Sequence, residues 1–288
     1  MGLQDSDKGI WLSIAAYVML SVVKIFVGYS SGSDALAADG FNNATDIVAS
    51  IAVLVGLRLS RKPADHDHRY GHHRAETIAA LVASFIMASV GLQVLLDSVR
   101  KLGRPVESAP DPIAAWVALV CAAVMFAVYT YNIRIAGRLN SQAMRAAAKD
   151  NLSDAYVSAG AFVGIVGSIL GLPWLDLVTA VVVGLLICKT AWDIFRDATH
   201  ALTDGFNADE LKRMKDTIRS IKGVKDIVDI RARLLGNLTF VDVTVSVNPH
   251  LSVVESHDIT ETIEETVSKR HNVSNVHIHI EPYHVATK

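Results

Sequence analysis

Two pairs of oxygen-bearing side chains, Asn42 with Asp46 and Asp150 with Asp154, stand inside long apolar stretches of the chain. Each pair has the i, i+4 spacing that places both side chains on one helical face. An ionisable group at membrane depth costs about 2.5–3.5 kcal/mol on insertion scales, so such groups usually mark an ion or proton path. All four offer oxygen and none offers sulfur or imidazole, which suits a hard divalent cation. If the two helices face each other, three carboxylates and one amide carbonyl converge. Carboxylates gathered at one point repel each other and hold protons. A divalent cation relieves that repulsion, and its departure readmits protons. Exchange of metal for protons is the chemistry to expect.

Two further clusters carry ligand chemistry. Between Pro63 and Arg74 the chain is rich in histidine and aspartate, and Asp65, His68 and His72 offer oxygen and imidazole to a metal. His66, Asp67 and His73 are near alternatives, and a short solvated loop has the same composition. Near the C-terminus, His277, His279 and Glu281 alternate with Val276, Ile278 and Ile280. Period two puts the polar three on one strand face. They form either a metal site, which His257 on the preceding helix would complete, or the polar outer face of a strand.

The elements that must position these residues follow from hydropathy. Of 288 residues, 51% are apolar, and they are clustered. A spanning helix needs about 20 apolar residues. Ile10–Tyr29 meets this with Lys24 as its one interruption, and Thr77–Leu96 and Ile113–Ile133 carry no charge. Ala35–Leu59, about Ala143–Gly171 and about Leu175–Ile194 are long enough but contain charges. Six spans are expected, and the glycines of the fifth (Gly160, Gly164, Gly167 and Gly171) suit close helix packing.

A net charge of −2 with no basic stripe gives no reason to expect a nucleic-acid partner. Cys121 and Cys188 fall in apolar segments, which argues against a disulfide framework. Nothing at the start resembles a cleavable signal. Arg58, Arg61, Lys62, Arg69 and Arg74 follow the second span, and Arg134, Arg138, Arg145 and Lys149 follow the fourth. The opposite side has only Arg100, Lys101 and Arg104. This bias predicts both termini in the cytoplasm.

Beyond about Thr203 the pattern becomes that of a soluble α+β domain. Ala208–Ile221 and Val253–Arg270 have helical periodicity. Val224–Leu234, Leu238–Val247 and Val273–Ile280 alternate as half-buried strands, with a turn at Gly236–Asn237. The expected organisation is an all-α, six-helix transmembrane domain over residues 1–203 and a cytoplasmic α+β domain over 204–288. A domain of about 80 residues is marginal alone, which favours dimerisation.

These residues together resemble the cation diffusion facilitators. The likeness rests on six spans, acidic pairs in spans two and five, the Ser31-Gly-Ser and Ala38-Asp-Gly strings, the loop from Pro63, and Tyr70-Gly-His-His-Arg-Ala-Glu76. It covers nearly the whole chain. It implies a homodimeric metal/proton antiporter whose cytoplasmic domain is ferredoxin-like, as in metallochaperones. Asn42, Asp46, Asp150 and Asp154 match the family's transport site, Asp65, His68 and His72 its loop site, and His279 and Glu281 its cytoplasmic ligands. Arg74 and Asp204 match a charge pair that ties the membrane part to the cytoplasmic domain at the dimer interface. Two departures bear on the metal: zinc members typically carry histidine at the position of Asp150, and many carry aspartate at that of Asn42. Two further cytoplasmic histidines are replaced by Val228 and Thr244, so the likeness does not extend to a binuclear zinc site there.

The expected function is therefore export of divalent cations, Mn²⁺ before Fe²⁺ or Zn²⁺, from the cytoplasm of a bacterium across its plasma (inner) membrane. Protons are the counter-ion, lipid and a second copy are the partners, and no resident cofactor and no enzymatic activity are expected. The alternatives are a Zn²⁺, Fe²⁺ or Cd²⁺ exporter of the same family, or a membrane sensor that binds metal without moving it.

Overall fold

The computed structural model describes residues 2–102, 109–139, 142–236 and 238–283. Six long helices come first: α1 (Gly2–Ser31), α2 (Asp34–Ser60), α3 (Ala75–Leu102), α4 (Pro112–Leu139), α5 (Gln142–Ile169) and α6 (Trp174–Leu202). Among the described residues, all but α2 contain a stretch long and apolar enough to cross a membrane. With 27 residues, α2 also has the length, about 40 Å at 1.5 Å per residue. It is set apart by Asp34, Asp39, Asn42, Asn43 and Asp46, the polar groups a plain anchor would lack.

After the helices come α7 (Ala208–Arg219), β1 (Asp226–Leu235), β2 (Leu238–Val247), α8 (Val253–His271) and β3 (Asn275–Pro282). This order matches the alternation read from the sequence, with β1 starting later and β3 running further. Arg104 and Asn237 lie outside the described residues, as do the side chains of Arg138 and Arg145. By contacts the chain divides into two compact units, Met1–Ala52 with Val82–Ile194, and Val53–Leu81 with Phe195–Lys288.

In the first unit the usual arrangement of a soluble protein is inverted. Phe26, Trp116, Leu170 and Trp192 are exposed, while Lys24, Asp39, Asn43 and Ser158 are completely buried. Apolar side chains face outward because lipid solvates them, and the polar groups pair inside. The interior is built of small residues such as Ala35, Ala114, Ala118 and Ala161, so the helix backbones approach closely. At Gly40, a Cβ would come within 2.7 Å of Ile25 on α1, so this crossing requires glycine. Gly164 and Gly167 on α5 face Thr179 and Leu175 of α6 in the same way, whereas Gly160 faces open space and Gly171 (φ +102°) ends the segment. The start of α2 is capped from a distant helix. Asp176 of α6 accepts from Ser33 Oγ (2.7 Å) and from the N–H groups of Asp34 (2.7 Å) and Ala35 (3.2 Å), satisfying free donors at the positive end of the helix.

In the second unit a three-stranded sheet of order β1-β2-β3 pairs β1 with β2 antiparallel and β2 with β3 parallel. One face carries Val241, Val243, Val245, Val276 and Ile278, packed with Met214, Ile218, Ile263 and Val267 of α7 and α8. A capping box between Ser252 and Glu255 starts α8, and Asn272 in the left-handed region (φ 53°) ends it. Its hydrogen bonds to Ser252 hold the Glu255 carboxyl below its usual range. This is the α-β-β-α-β arrangement expected of a ferredoxin-like cytoplasmic domain.

Candidate functional site

Polar groups at helical spacing on three helices meet inside the first unit. On α5, Asp154 is 6% exposed, and its two oxygens are held from two directions. Tyr17 of α1 donates to Oδ2 at 2.8 Å, and the Asn42 amide of α2 donates to Oδ1 at 3.1 Å. Tyr17 also bonds Asn151 Oδ1 at 3.0 Å. The sequence-predicted partners on α2 and α5 are thus brought together in one hydrogen bond. Asp46 lies one turn beyond Asn42, and one of its oxygens, Oδ2, is buried with no hydrogen-bond partner among the described residues. Asp150 is the outlying member: it lies one turn before Asp154 on α5 and is exposed.

The expected convergence is therefore partial. Among the described residues, the transmembrane carboxylates do not gather three ligand atoms within 4.8 Å. A cation entering here would take Asp154 and Asp46 as anionic ligands. Rotating the Asn42 amide would turn its carbonyl oxygen, in place of its N–H, toward the ion.

Chemistry that the sequence reading passed over surrounds this pair. Lys24 of α1 forms an ion pair with Asp39 of α2 at 3.0 Å, both side chains wholly buried. Its ammonium also donates to Asn43 Oδ1 at 2.6 Å and Ser158 Oγ at 2.8 Å. The signal was present in the spacing: Tyr17, Ser21 and Lys24 lie at i, i+4 and i+7, as do Asp39, Asn43 and Asp46. Each set is a polar stripe on an apolar helix.

In the second unit, Asp65, His68 and His72 do gather. Their ligand atoms all lie within 4.8 Å, the one such group of three among the described residues. Asp65 Oδ1 is 3.3 Å from His68 Nδ1, Asp65 Oδ2 is 3.5 Å from His72 Nε2, and the two imidazole ring centroids lie 4.2 Å apart with their planes tilted by 37°. The backbone builds this arrangement: Asp65 accepts from the N–H groups of His68 (2.7 Å) and Asp67 (3.1 Å) in an Asx turn. Those bonds, that of His68 first, hold the Asp65 carboxyl below its usual range. His66 and Asp67 lie outside the group and face solvent.

The same loop meets the turn between β1 and β2. Gly236 has φ +61°, and a Cβ there would lie 2.5 Å from the His73 carbonyl oxygen. Gly236→Ala therefore combines left-handed strain with a backbone clash. A loss of about 1–3 kcal/mol is expected, read as a lowered unfolding midpoint of the purified protein. Beside it, Arg74 and Asp204 form their predicted ion pair, Nη2 to Oδ1 at 2.5 Å, with Asp204 itself at φ 59°.

The cytoplasmic ligands are placed differently. His277, His279 and Glu281 do share one face of β3, as period two requires, and His277 is 3.7 Å from Asp242. His279 pairs in register with Thr244, and Val228 sits exposed in the bulge of β1. Residues 244 and 279 are therefore neighbours, but a threonine stands where an imidazole would be needed. His257 does not complete the set, because α8 packs on the opposite, apolar face of the sheet. No group of three His, Cys, Asp or Glu ligands forms here among the described residues.

Comparison with known proteins matches nearly the whole chain. Residues 10–203 match the family described as "Cation efflux transmembrane domain", and residues 206–283 that described as "Cation efflux protein, cytoplasmic domain". The chain is 52% identical over 280 residues to the "Manganese efflux system protein MneS" of Bacillus subtilis, covering 97% of both. It is 50% identical over the same span to the "Uncharacterized transporter YdbO" of that organism. It is 30% identical over 275 residues to the "Magnetosome protein MamM" of Paramagnetospirillum magneticum, covering 94% of this chain and 86% of that one.

Proposed function

Because this chain belongs to the cation efflux family, an integral membrane transporter family, we propose that it exports Mn²⁺ from the cytoplasm in exchange for protons. The observation that carries this reading is the Asn42–Asp154 contact between α2 and α5, with the buried, unpartnered oxygen of Asp46 beside it. A buried acceptor without a partner is costly, and a cation satisfies it. The donors are carboxylate and amide oxygen, which suit Mn²⁺ better than the imidazole-rich sets that favour zinc. The 52% identical manganese efflux protein supports the same choice.

In this mechanism Asp46, Asp150 and Asp154 are ligands and proton carriers, and Asn42 is a neutral oxygen ligand. Binding of Mn²⁺ displaces protons from the carboxylates, and the loaded site then opens to the other side. Protons from outside neutralise the emptied carboxylates for the return. Asp150, exposed one turn from Asp154, acts at the mouth of the site. Asp65, His68 and His72 form a second metal site in the loop, and His279 with Glu281 a weaker cytoplasmic one. The protein works as a homodimer in a bacterial plasma membrane, with both termini in the cytoplasm and the Arg74–Asp204 pair at the dimer interface.

Competitive uptake by reconstituted protein tests the substrate. With Mn²⁺, Fe²⁺, Zn²⁺ and Cd²⁺ offered together, Mn²⁺ is expected to enter at the highest Vmax/KM. Preference for Zn²⁺ or Cd²⁺ would overturn the manganese assignment and leave cation efflux intact.

A further inference from the structure

Helix α1 carries none of the four proposed transport ligands, yet it holds both helices that do. Tyr17 bonds α5 at Asn151 and Asp154, and Ser21 donates to the Gly40 carbonyl of α2 at 3.0 Å. Lys24 reaches both helices: it is ion-paired with Asp39 and hydrogen-bonded to Asn43 on α2, and hydrogen-bonded to Ser158 on α5. The ammonium thus meets three side chains on two helices, Asp39 by charge and Asn43 and Ser158 by hydrogen bonds. Asn43 directly follows Asn42, and Ser158 lies one turn beyond Asp154. The Lys24 tripod thus fixes the two helices next to the residues that would hold the metal.

The charge count points the same way. Lys24 and Asp39 neutralise each other, so the pair adds no net charge to the neighbouring carboxylates. A buried ion pair contributes little net stability, and apolar residues of similar size often replace one without loss of folding. Its geometric effect is larger, because a three-point tether restricts both sliding and rotation of α2 against α5. A set of oxygen ligands discriminates among divalent ions by spacing, since intrinsic affinity ranks Zn²⁺ above Mn²⁺.

We propose that Lys24, through its tripod to Asp39, Asn43 and Ser158, is a positioning residue that sets the α2–α5 spacing and thereby the metal preference of the transmembrane site. This rests on the transport reading above. Loss of the tether widens the range of distances the ligands sample, so discrimination against the higher-affinity ion falls.

The test is uptake of Mn²⁺ and Zn²⁺, each alone, by proteoliposomes carrying full-length protein. Lys24→Met by itself strands a buried carboxylate, so the variant measured is Lys24→Met with Asp39→Leu. Expected is a fall of about 10-fold in Vmax/KM for Mn²⁺, the scale of lost support to metal ligands, with KM raised and the Mn²⁺/Zn²⁺ ratio reduced. Ser158→Ala, which removes only the α5 tether, is expected to shift the ratio less and in the same direction. A double variant with the wild-type ratio overturns the proposal. So does one that slows both metals by an equal factor at unchanged KM, since that marks a purely structural role. If the double variant does not fold, Ser158→Ala decides, and an unchanged ratio refutes the idea. Wild-type protein that moves neither metal refutes the transport reading instead.

Discussion

Asp154→Ala is expected to abolish Mn²⁺ flux in proteoliposomes, lowering Vmax/KM by at least about 100-fold. Residues that only support metal ligands cost about 10- to 100-fold when removed, and Asp154 is placed as a ligand itself. The residue is 6% exposed and its carboxylate takes one hydrogen bond from α1 and one from α2, so it stands where the three helices meet. Alanine removes the acceptor for both donors. Tyr17 retains Asn151 as a partner, and the Lys24 tether does not involve Asp154, so the helices stay packed. The variant should insert and purify like the wild type. Flux above half the wild-type value in a folded variant would remove Asp154 from the site.

Asp150→His produces the second large effect, a change of substrate. Position 150 is the outlying member of the set, exposed one turn from Asp154. An imidazole there has room to enter without displacing a packed neighbour. Replacing a hard oxygen with nitrogen raises affinity for Zn²⁺ more than for Mn²⁺. The ratio of Zn²⁺ to Mn²⁺ uptake is expected to rise by about 10-fold, the lower end of what even a residue that only supports a metal ligand contributes. The same uptake assay reads it, with each metal titrated separately. An unchanged ratio would mean that donor softness at this position does not select the metal, and that spacing alone does.

Much of this was legible in the sequence because periodicity reports directly on burial. The alternation in Leu238–Val247 and around Val276, Ile278 and Ile280 placed both strands and their apolar face. The i, i+4 pairs in α2 and α5 marked the helices that meet at the Asn42–Asp154 contact, and the Asp65, His68 and His72 spacing marked the loop group. Three features were not legible. Lys24 looked like a blemish in an apolar span, because its partners Asp39, Asn43 and Ser158 lie on other helices. The difference between buried Asp154 and exposed Asp150 depends on where α5 crosses its neighbours, and residues on one helical face need not be equally deep. The face of β3 opposite α8 separates His257 from His279, and helix-to-sheet packing decides that. Sequence spacing describes one element at a time, whereas these three features arise between elements.

The central claim is exchange of Mn²⁺ for protons at the α2–α5 carboxylates. It is tested most directly by following Mn²⁺ and internal pH together in the same proteoliposomes. Wild-type protein should move protons opposite to Mn²⁺, in proportion to it and only when metal is present, and Asp154→Ala should lose both signals. Mn²⁺ that binds without crossing, or crosses with no change in internal pH, would contradict the account.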